Sequence, residues 1–341
     1  MYPITSAVKA LFRANTKQIA RITFSGVEDS MVITDEDIVQ GGLSINRYCA
    51  SGSSIEIGSA VAAEMSLKLD NFSHTFDDTV FGGAELYVEI GVSGGTNTYY
   101  VPFGYFTVDK TPKITDTIEL KALDRMVLFD KIAAPGTLPV PCSLSVLLSH
   151  ICTVCNVPLE TDIITAAYPN ANYMVTSDPV GDDTTYRQIL AWICELTGTC
   201  AYIDWNGRLR LEWYSSTDEE IGTDIRYSSE IETNDITING VQITGKDTFY
   251  VAGEAGYIIN IEGNGLVQGS EETLVNNLYA VLGNFTYTPA SASIEPSPHL
   301  YPLDMYTFID RDENEHTAII TDVTFSLNKN TDIKGAVRRR R

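Results

Sequence analysis

At 341 residues the chain is too long for one ordinary core and predicts two or three domains. Its 44% hydrophobic and 20% charged residues belong to a folded globular protein rather than a disordered one. Asp and Glu number 45 against 23 Lys and Arg, a net charge of −22, which excludes affinity built on neutralising phosphates. An acidic surface can still face nucleic acid, as a wall that repels it.

No apolar run approaches the roughly 18 residues that span a bilayer, so no membrane insertion is expected. The start, Met1-Tyr2-Pro3-Ile4-Thr5, lacks the basic and apolar regions of a signal peptide, and assembly in the cytoplasm is the expectation. Cys49, Cys142, Cys152, Cys155, Cys194 and Cys200 are scattered and too few for a disulfide scaffold, so they read as reduced thiols.

The first third reads as β-structure. Ala20, Ile22 and Phe24 alternate with Arg21 and Thr23, and Met65-Ser66-Leu67-Lys68-Leu69-Asp70 repeats the pattern. Leu86, Val88, Ile90 and Val92 fall on one face with Glu85 and Glu89 on the other, and Thr117-Ile118-Glu119-Leu120-Lys121-Ala122 alternates again. A period of two turns the apolar set to a core and the charged set to water. Gly41-Gly42, Gly82-Gly83 and Ser93-Gly94-Gly95 are turn signals between these runs. One-sided alternation with short turns predicts antiparallel sheet, closed or sandwiched.

Near residue 126 the period changes. Leu144, Leu147, Leu148, Ile151, Cys152 and Cys155 have the spacing of an amphipathic helix. A second helix starts at Thr185, with Gln188 as capping-box partner, Tyr186, Ile189, Leu190, Ile193 and Thr197 on one face, and Gly198 as its stop. Two strand-like runs, 200–204 and 209–213, flank Asn206-Gly207, which predicts a hairpin with a type I′ turn. The middle third is therefore a small α+β unit.

From about 216 strands return, at 235–241, 257–261 and 304–309. Between them Glu271 to Leu282 reads as a helix with acidic residues at its start, where the macrodipole favours them, and Leu274, Leu278 and Val281 as its buried stripe. Pro289 to Pro302 carries four prolines and reads as a connecting loop. The fold class is mainly β with α+β, two β-regions flanking a small α+β domain.

Several motifs carry possible chemistry. Cys152-Thr153-Val154-Cys155 matches C-x-x-C, but no second ligand pair follows, and both sulfurs fall on the apolar helix stripe; packed residues are the better reading. Gly91-Val92-Ser93-Gly94-Gly95 fits the nucleophile-elbow pattern, yet a strand-like run follows where a helix is required, which makes it a hairpin turn. Asp310-Arg311-Asp312-Glu313-Asn314 opens like a calcium loop, with Glu315 where Gly belongs and Thr321 where Glu belongs, so a polar hairpin tip is expected. His74, His150, His299 and His316 show no ligand spacing, and His150 reads as a partly exposed structural residue on the first helix. The doublets Asp77-Asp78, Asp182-Asp183, Glu219-Glu220 and Glu271-Glu272 could pair as acid and base, though solvated turns and a helix start account for them. The glycines at 253, 256, 263 and 265 fit no phosphate loop. Arg338 to Arg341 form a basic run, either a disordered end or a hook onto an acidic neighbour or another copy.

Several strings in order carry a resemblance. They are Ile57-Gly58-Ser59-Ala60-Val61-Ala62-Ala63-Glu64-Met65, Phe103-Gly104-Tyr105-Phe106-Thr107-Val108-Asp109, Ala122-Leu123-Asp124-Arg125-Met126, Thr185-Tyr186-Arg187-Gln188-Ile189-Leu190, the run from Ala201 to Leu209, and Ile319-Ile320-Thr321-Asp322. Together they resemble the baseplate or tail hub proteins of tailed phages, the gp27-like hubs that also form the N-terminal part of tail-associated lysins. Pro302-Leu303-Asp304 departs from that pattern, which has Gly before Asp.

The resemblance implies a homotrimer in which each subunit supplies two tube-like β-barrels, joining a sixfold tail tube to a threefold spike or fibre. It implies residues 1–125 as the first barrel domain, 126–215 as the α+β domain, 216–335 as the second barrel with an insertion at about 262–302, and 336–341 as a basic tail. Expected partners are the tail tube or distal tail protein, the tape measure protein, and a spike, fibre or receptor-binding protein, in the virion. DNA would pass an acidic lumen without specific binding. Such hubs often carry a lytic domain further on, and the chain ends soon after its last barrel strand, so no catalytic, cofactor or metal residue is assigned. Two rivals are a tail-associated peptidoglycan-degrading enzyme using an acidic pair such as one containing Asp182, and a carbohydrate-binding adhesin, suggested by 18 Tyr and 3 Trp.

Overall fold

The computed structural model describes residues 1–14, 16–26, 31–50, 53–110, 112–160, 167–245 and 249–338. A helix, α1 (Ser6–Arg13), precedes seven strands: β1 (Gln18–Ser25), β2 (Val32–Thr34), β3 (Ile38–Tyr48), β4 (Glu64–Asp70), β5 (Glu85–Gly94), β6 (Asn97–Val108) and β7 (Thr117–Asp124). A 3₁₀ helix over Arg125–Asp130 leads to β8 (Cys142–Ser143), α2 (Leu144–Cys155), β9 (Met174–Val175), α3 (Tyr186–Thr197), β10 (Cys200–Ile203) and β11 (Leu209–Glu212). The last part holds β12 (Ser215–Ile221), β13 (Arg226–Ile231), β14 (Ile236–Thr244), β15 (Phe249–Gly253), β16 (Tyr257–Glu262) and α4 (Glu271–Leu282). It ends with β17 (Thr286–Ile294), β18 (Asp304–Ile309), β19 (Glu315–Ser326) and β20 (Thr331–Arg338).

The protein is mainly β with an α+β unit. The alternating runs of the first third are β1, β4, β5 and β7, each with its apolar residues buried. Among the described residues most strands join one 16-stranded sheet, whose main path is β15-β14-β17-β20-β19-β3-β4-β7-β6-β5-β1-β2. The N- and C-terminal β-regions are thus hydrogen-bonded to each other. The twelve-residue β19 belongs to both: Glu315–Ile319 pairs with β18, and Asp322–Ser326 pairs with β3, in register Val323 to Arg47. The first set of strands curls until β1 meets the turn after β19. There Gln18 and Asn328 exchange backbone-to-amide hydrogen bonds of 2.8 and 2.7 Å, and Phe325 and Leu327 enter the core of the first sheet.

Five local expectations change. Gly41-Gly42 is not a turn between strands but lies inside β3, where the ladder to β4 shifts register, as in a bulge. Asn206-Gly207 does not form a two-residue turn: Ile203 pairs with Leu209, only Gly207 has positive φ, and Asp204 accepts hydrogen bonds from the backbone of Asn206 and Arg208. The carboxylate closes this loop where a type I′ turn would need a second positive φ. Pro289 lies within β17, held between β13 and β20, so the connecting loop begins only after Ile294; its carbonyl still accepts from Glu232 N (2.9 Å). On α4, Val281 is exposed, and Val275 and Leu282 complete the buried stripe with Leu274 and Leu278. Residues 336–338 are the end of β20 rather than part of a tail; Arg339 to Arg341 lie outside the described residues.

The helices behave as their sequences dictate. Thr185 accepts from Gln188 N (3.1 Å), Gly198 ends α3 in the left-handed conformation, and all six residues of the α2 stripe are buried. The α2–α3 core also takes in Leu274, Val275, Leu278 and Leu282, so the inserted helix α4 packs onto the α+β unit. Before Asp304, where the hub pattern has Gly, Leu303 adopts φ +74° and is fully buried. The backbone conformation that glycine serves is present, and the strain of about 1–3 kcal/mol is offset by burying the Leu side chain.

The ladder between β17, β20 and β19 has no room at Gly335, where an added Cβ would stand 1.8 Å from the Ile319 carbonyl oxygen. Gly335→Ala is therefore expected to push β19 and β20 apart and lower stability by about 1–3 kcal/mol, read as a lower urea midpoint at unchanged slope.

Candidate functional site

Three parts of the chain meet around one cation. Arg47 lies on the inward face of β3 after Leu43 and Ile45, and its guanidinium is sandwiched between the rings of Phe103 (4.4 Å) and Tyr301 (4.1 Å). It donates to the Phe103 carbonyl at 2.8 Å. Burial pulls its pKa down, opposed by Tyr301 and Asp124. Asp124, at the end of β7, is buried as well and caps the 3₁₀ helix by accepting from Met126 N at 2.9 Å. Burial pushes its pKa up to about 7, while two backbone donors and Arg47 pull the other way. Tyr301 leads onward, edge-on to Trp205 at 5.6 Å, and Trp205 packs edge-on against Tyr2 at 5.1 Å. The first sheet, the 204–208 loop and the segment before β18 are thus clasped by stacked rings about a buried charge.

A second cluster fixes α1 to β12. Val8 and Phe12 form the buried stripe of α1, and the adjoining Lys9 and Arg13 both donate to Glu219. His299 Nε2 lies 3.1 Å from the same carboxylate, whose side chain is 1% exposed. Burial alone would raise the pKa of Glu219; the His299 hydrogen bond, with Lys9 and Arg13, outweighs it and holds the carboxyl at about 2. Burial keeps His299 below its ordinary pKa, so its neutral Nε2–H tautomer donates to Glu219, and among the described residues Nδ1 finds no partner. Beside the cluster an open cavity of about 540 Å³ is lined by Lys9, Arg13, Asp224 and Glu295 among others. A carboxylate so strongly ionised has neither a proton to donate at neutral pH nor the basicity to take one.

The residues singled out in the sequence do not converge. Cys152 and Cys155 are buried on α2, with burial pushing their thiols up to about 12 and about 11, the state of inert core cysteines. Ser93 sits at the end of β5 in the hairpin to β6, with no helix after it. Asp310 accepts from the backbone of Asp312 and Asn314, from the Asn314 amide and from His316 (2.8 Å), so its lone pairs are occupied within the hairpin tip. Among the described residues no group of three or more His, Cys, Asp or Glu side chains could hold a metal ion. Asp182 and Asp183 are exposed in a turn, and Glu271 and Glu272 start α4. Glu219 is the correction: it is no solvated turn residue but the buried hub of a cation cluster. Its parity with the buried Ile221 along β12 was the available signal, as was the parity of Arg47 with Ile45 and Leu43. His150 is half-buried, as expected.

These shifts set a pH dependence. Asp124 and the half-buried Glu195 are raised to about 7 and Asp304 to about 6, in each case first by burial. The folded state therefore holds protons that the unfolded chain has lost, and stability falls as pH rises from about 4 to about 7. Glu219 works in the opposite sense, contributing stability above its unfolded pKa that is lost as pH falls toward 2. The melting temperature is expected to peak near pH 4–5, and Asp124→Asn to flatten the decline toward pH 7.5. Glu219→Gln, which leaves Lys9 and Arg13 without their counter-charge, is expected to cost about 3 kcal/mol at pH 7 and much less at pH 3, measured by urea unfolding.

No protein-family model matches the sequence, and no curated protein matches it. Solved structures do. The 43 kDa tail protein of prophage MuSo2 from Shewanella oneidensis is 13% identical, with a TM-score of 0.58 over 94% of this chain and 98% of that one. A tail protein from Neisseria meningitidis MC58 is 9% identical, with a TM-score of 0.61 over 95% and 96%. Prophage tail protein gp18 from Listeria monocytogenes EGD-e is 12% identical, with a TM-score of 0.59 over 94% of each chain. At these identities the likeness is one of fold, and it runs from end to end: this chain has the fold of phage tail proteins.

Proposed function

We propose that the chain is a structural hub of a phage tail tip or baseplate, acting in the virion and not as an enzyme. The observation that carries this reading is the end-to-end sharing of fold with three phage tail proteins. In this reading residues 1–125 and 216–335 supply two tube-like sets of strands around the α+β unit of 126–215, and three copies make a pseudo-sixfold ring. The ring takes the tail tube or distal tail protein and the tape measure protein on one side, and a spike, fibre or receptor-binding protein on the other.

Two physical features suit that role. The perturbed carboxylates serve as braces between elements: Glu219 ties α1 to β12, and Asp124 sits beneath the Arg47 clasp. A ring whose subunits each carry a net charge of −22 repels passing phosphates, so DNA meets no retaining surface in its lumen.

Negative-stain electron microscopy of the purified protein is expected to give threefold rings with an open, six-lobed centre. Their share should rise with salt as repulsion between acidic copies is screened. A zymogram on peptidoglycan should show no clearing. Compact monomers at every salt concentration, or clearing abolished by Asp182→Asn, would replace the hub with one of its rivals.

A further inference from the structure

We propose that one end of the first sheet, formed around the β4–β5 loop, is a docking surface for a protein partner with an apolar centre and a basic rim. The inference rests on the tail reading and names a surface that reading leaves open. Phe72 and Val80, both in this loop, are 72% and 71% exposed, the highest values for large apolar side chains among the described residues. β4 and β1 end, and β5 and β7 begin, at this same end of the antiparallel sheet. Val32 at the start of β2 and Ile114 just before β7 add two more exposed apolar side chains there.

The loop is built and held. Asn71 is buried, donates to Asp77 (2.8 Å) and to the Thr115 carbonyl (3.0 Å), and accepts from Phe76 N (2.9 Å). Phe76 and Phe81 turn inward and pack edge-on, and Phe81 packs on Phe24 of β1. Four large apolar residues in one loop thus divide: two anchor it to the core and two are held out into water. A rigid display of this kind presents apolar anchors at little entropic cost on binding.

Charge selects the occupant. Exposed Asp70, Asp77, Asp78 and Asp116 surround the apolar side chains, against Lys113 and a Lys110 that faces Asp109 at 3.9 Å. Asp77 is held ionised by Asn71 and His74. A second copy meeting this one face to face would bring the same acidic rim, every copy carries a net charge of −22, and nucleic acid or an anionic membrane has the wrong sign. A protein with aliphatic residues flanked by Lys and Arg fits.

The test places the photocrosslinker benzoylphenylalanine at position 72 of the full-length chain, in cells that make the tail particle, and sequences the crosslinked peptide. In parallel the Phe72→Ser/Val80→Ser chain is scored for entry into particles. A crosslink to another tail protein, within an apolar segment bordered by Lys or Arg, is expected. The double variant should keep the wild-type melting temperature and enter particles roughly tenfold less. A crosslink to a second copy or to an acidic segment, no crosslink in particles that contain the chain, or normal entry of the variant overturns the docking surface and leaves the tail reading intact. Absence of the wild-type chain from particles overturns both.

Discussion

The structure depends on a positive charge kept out of water. Among the described residues Arg47 has no carboxylate against its guanidinium; it has two aromatic faces, one carbonyl and the field of Asp124. An isolated buried cation is costly, so this arrangement persists only because every contributor is in place together. Phe103 comes from β6, Tyr301 from the segment before β18, Asp124 from the end of β7, and Arg47 itself pairs across to Val323 of β19. Removing any one leaves a charge or a ring unsatisfied at the meeting point of three units, which makes their docking cooperative.

That cooperativity explains how a chain with two β-regions avoids behaving as two domains on a linker. β19 is long enough to serve both, with Glu315–Ile319 in the second set of strands and Asp322–Ser326 in the first. At the changeover the ladder to β20 shifts register, and Thr321 accepts from Cys49 N at 2.9 Å. A shared strand transmits force through backbone hydrogen bonds loaded together, whereas a flexible connection would let the two regions rotate. In the ring proposed above the difference matters, because a ring must hold its bore.

What the sequence made legible was local. Period-two alternation in β4, β5 and β7, the Thr185 cap and the Gly198 stop are fixed by neighbours within a few residues, and each is found where its residues imply. Two of the misreadings are non-local. Pro289 lies mid-strand because β13 and β20 hold β17 from either side, which no local pattern reveals. Glu219 looked solvated because Glu220 is; its cations come from α1, more than 200 residues earlier. The clasp had a partial signature, since Leu43, Ile45 and Arg47 share parity, but the rings that make a buried Arg tolerable lie 56 or more residues away. At Pro302-Leu303-Asp304, where the sequence departs from the hub pattern, Leu303 nonetheless takes a left-handed conformation, which only the surrounding structure reveals.

The acidic composition and the raised carboxylates belong to one argument. A chain of net charge −22 repels itself when folded, and each carboxyl that stays protonated near neutrality reduces that cost. Asp124 and Glu195, raised by burial to about 7, are partly protonated inside the protein, where their charge would be most expensive, whereas Asp304, raised to about 6, is paired with the N-terminal ammonium. The acidic side chains exposed at the surface keep copies apart except on patches free of charge or matched by a basic partner. Association is thereby confined to a few surfaces, and the internal clasp needs no solvent-exposed ion pairs to survive the field around it. Acidity outside and a sheltered cation within are complementary: the first decides what the molecule touches, and the second keeps its two β-regions in one frame while it does so.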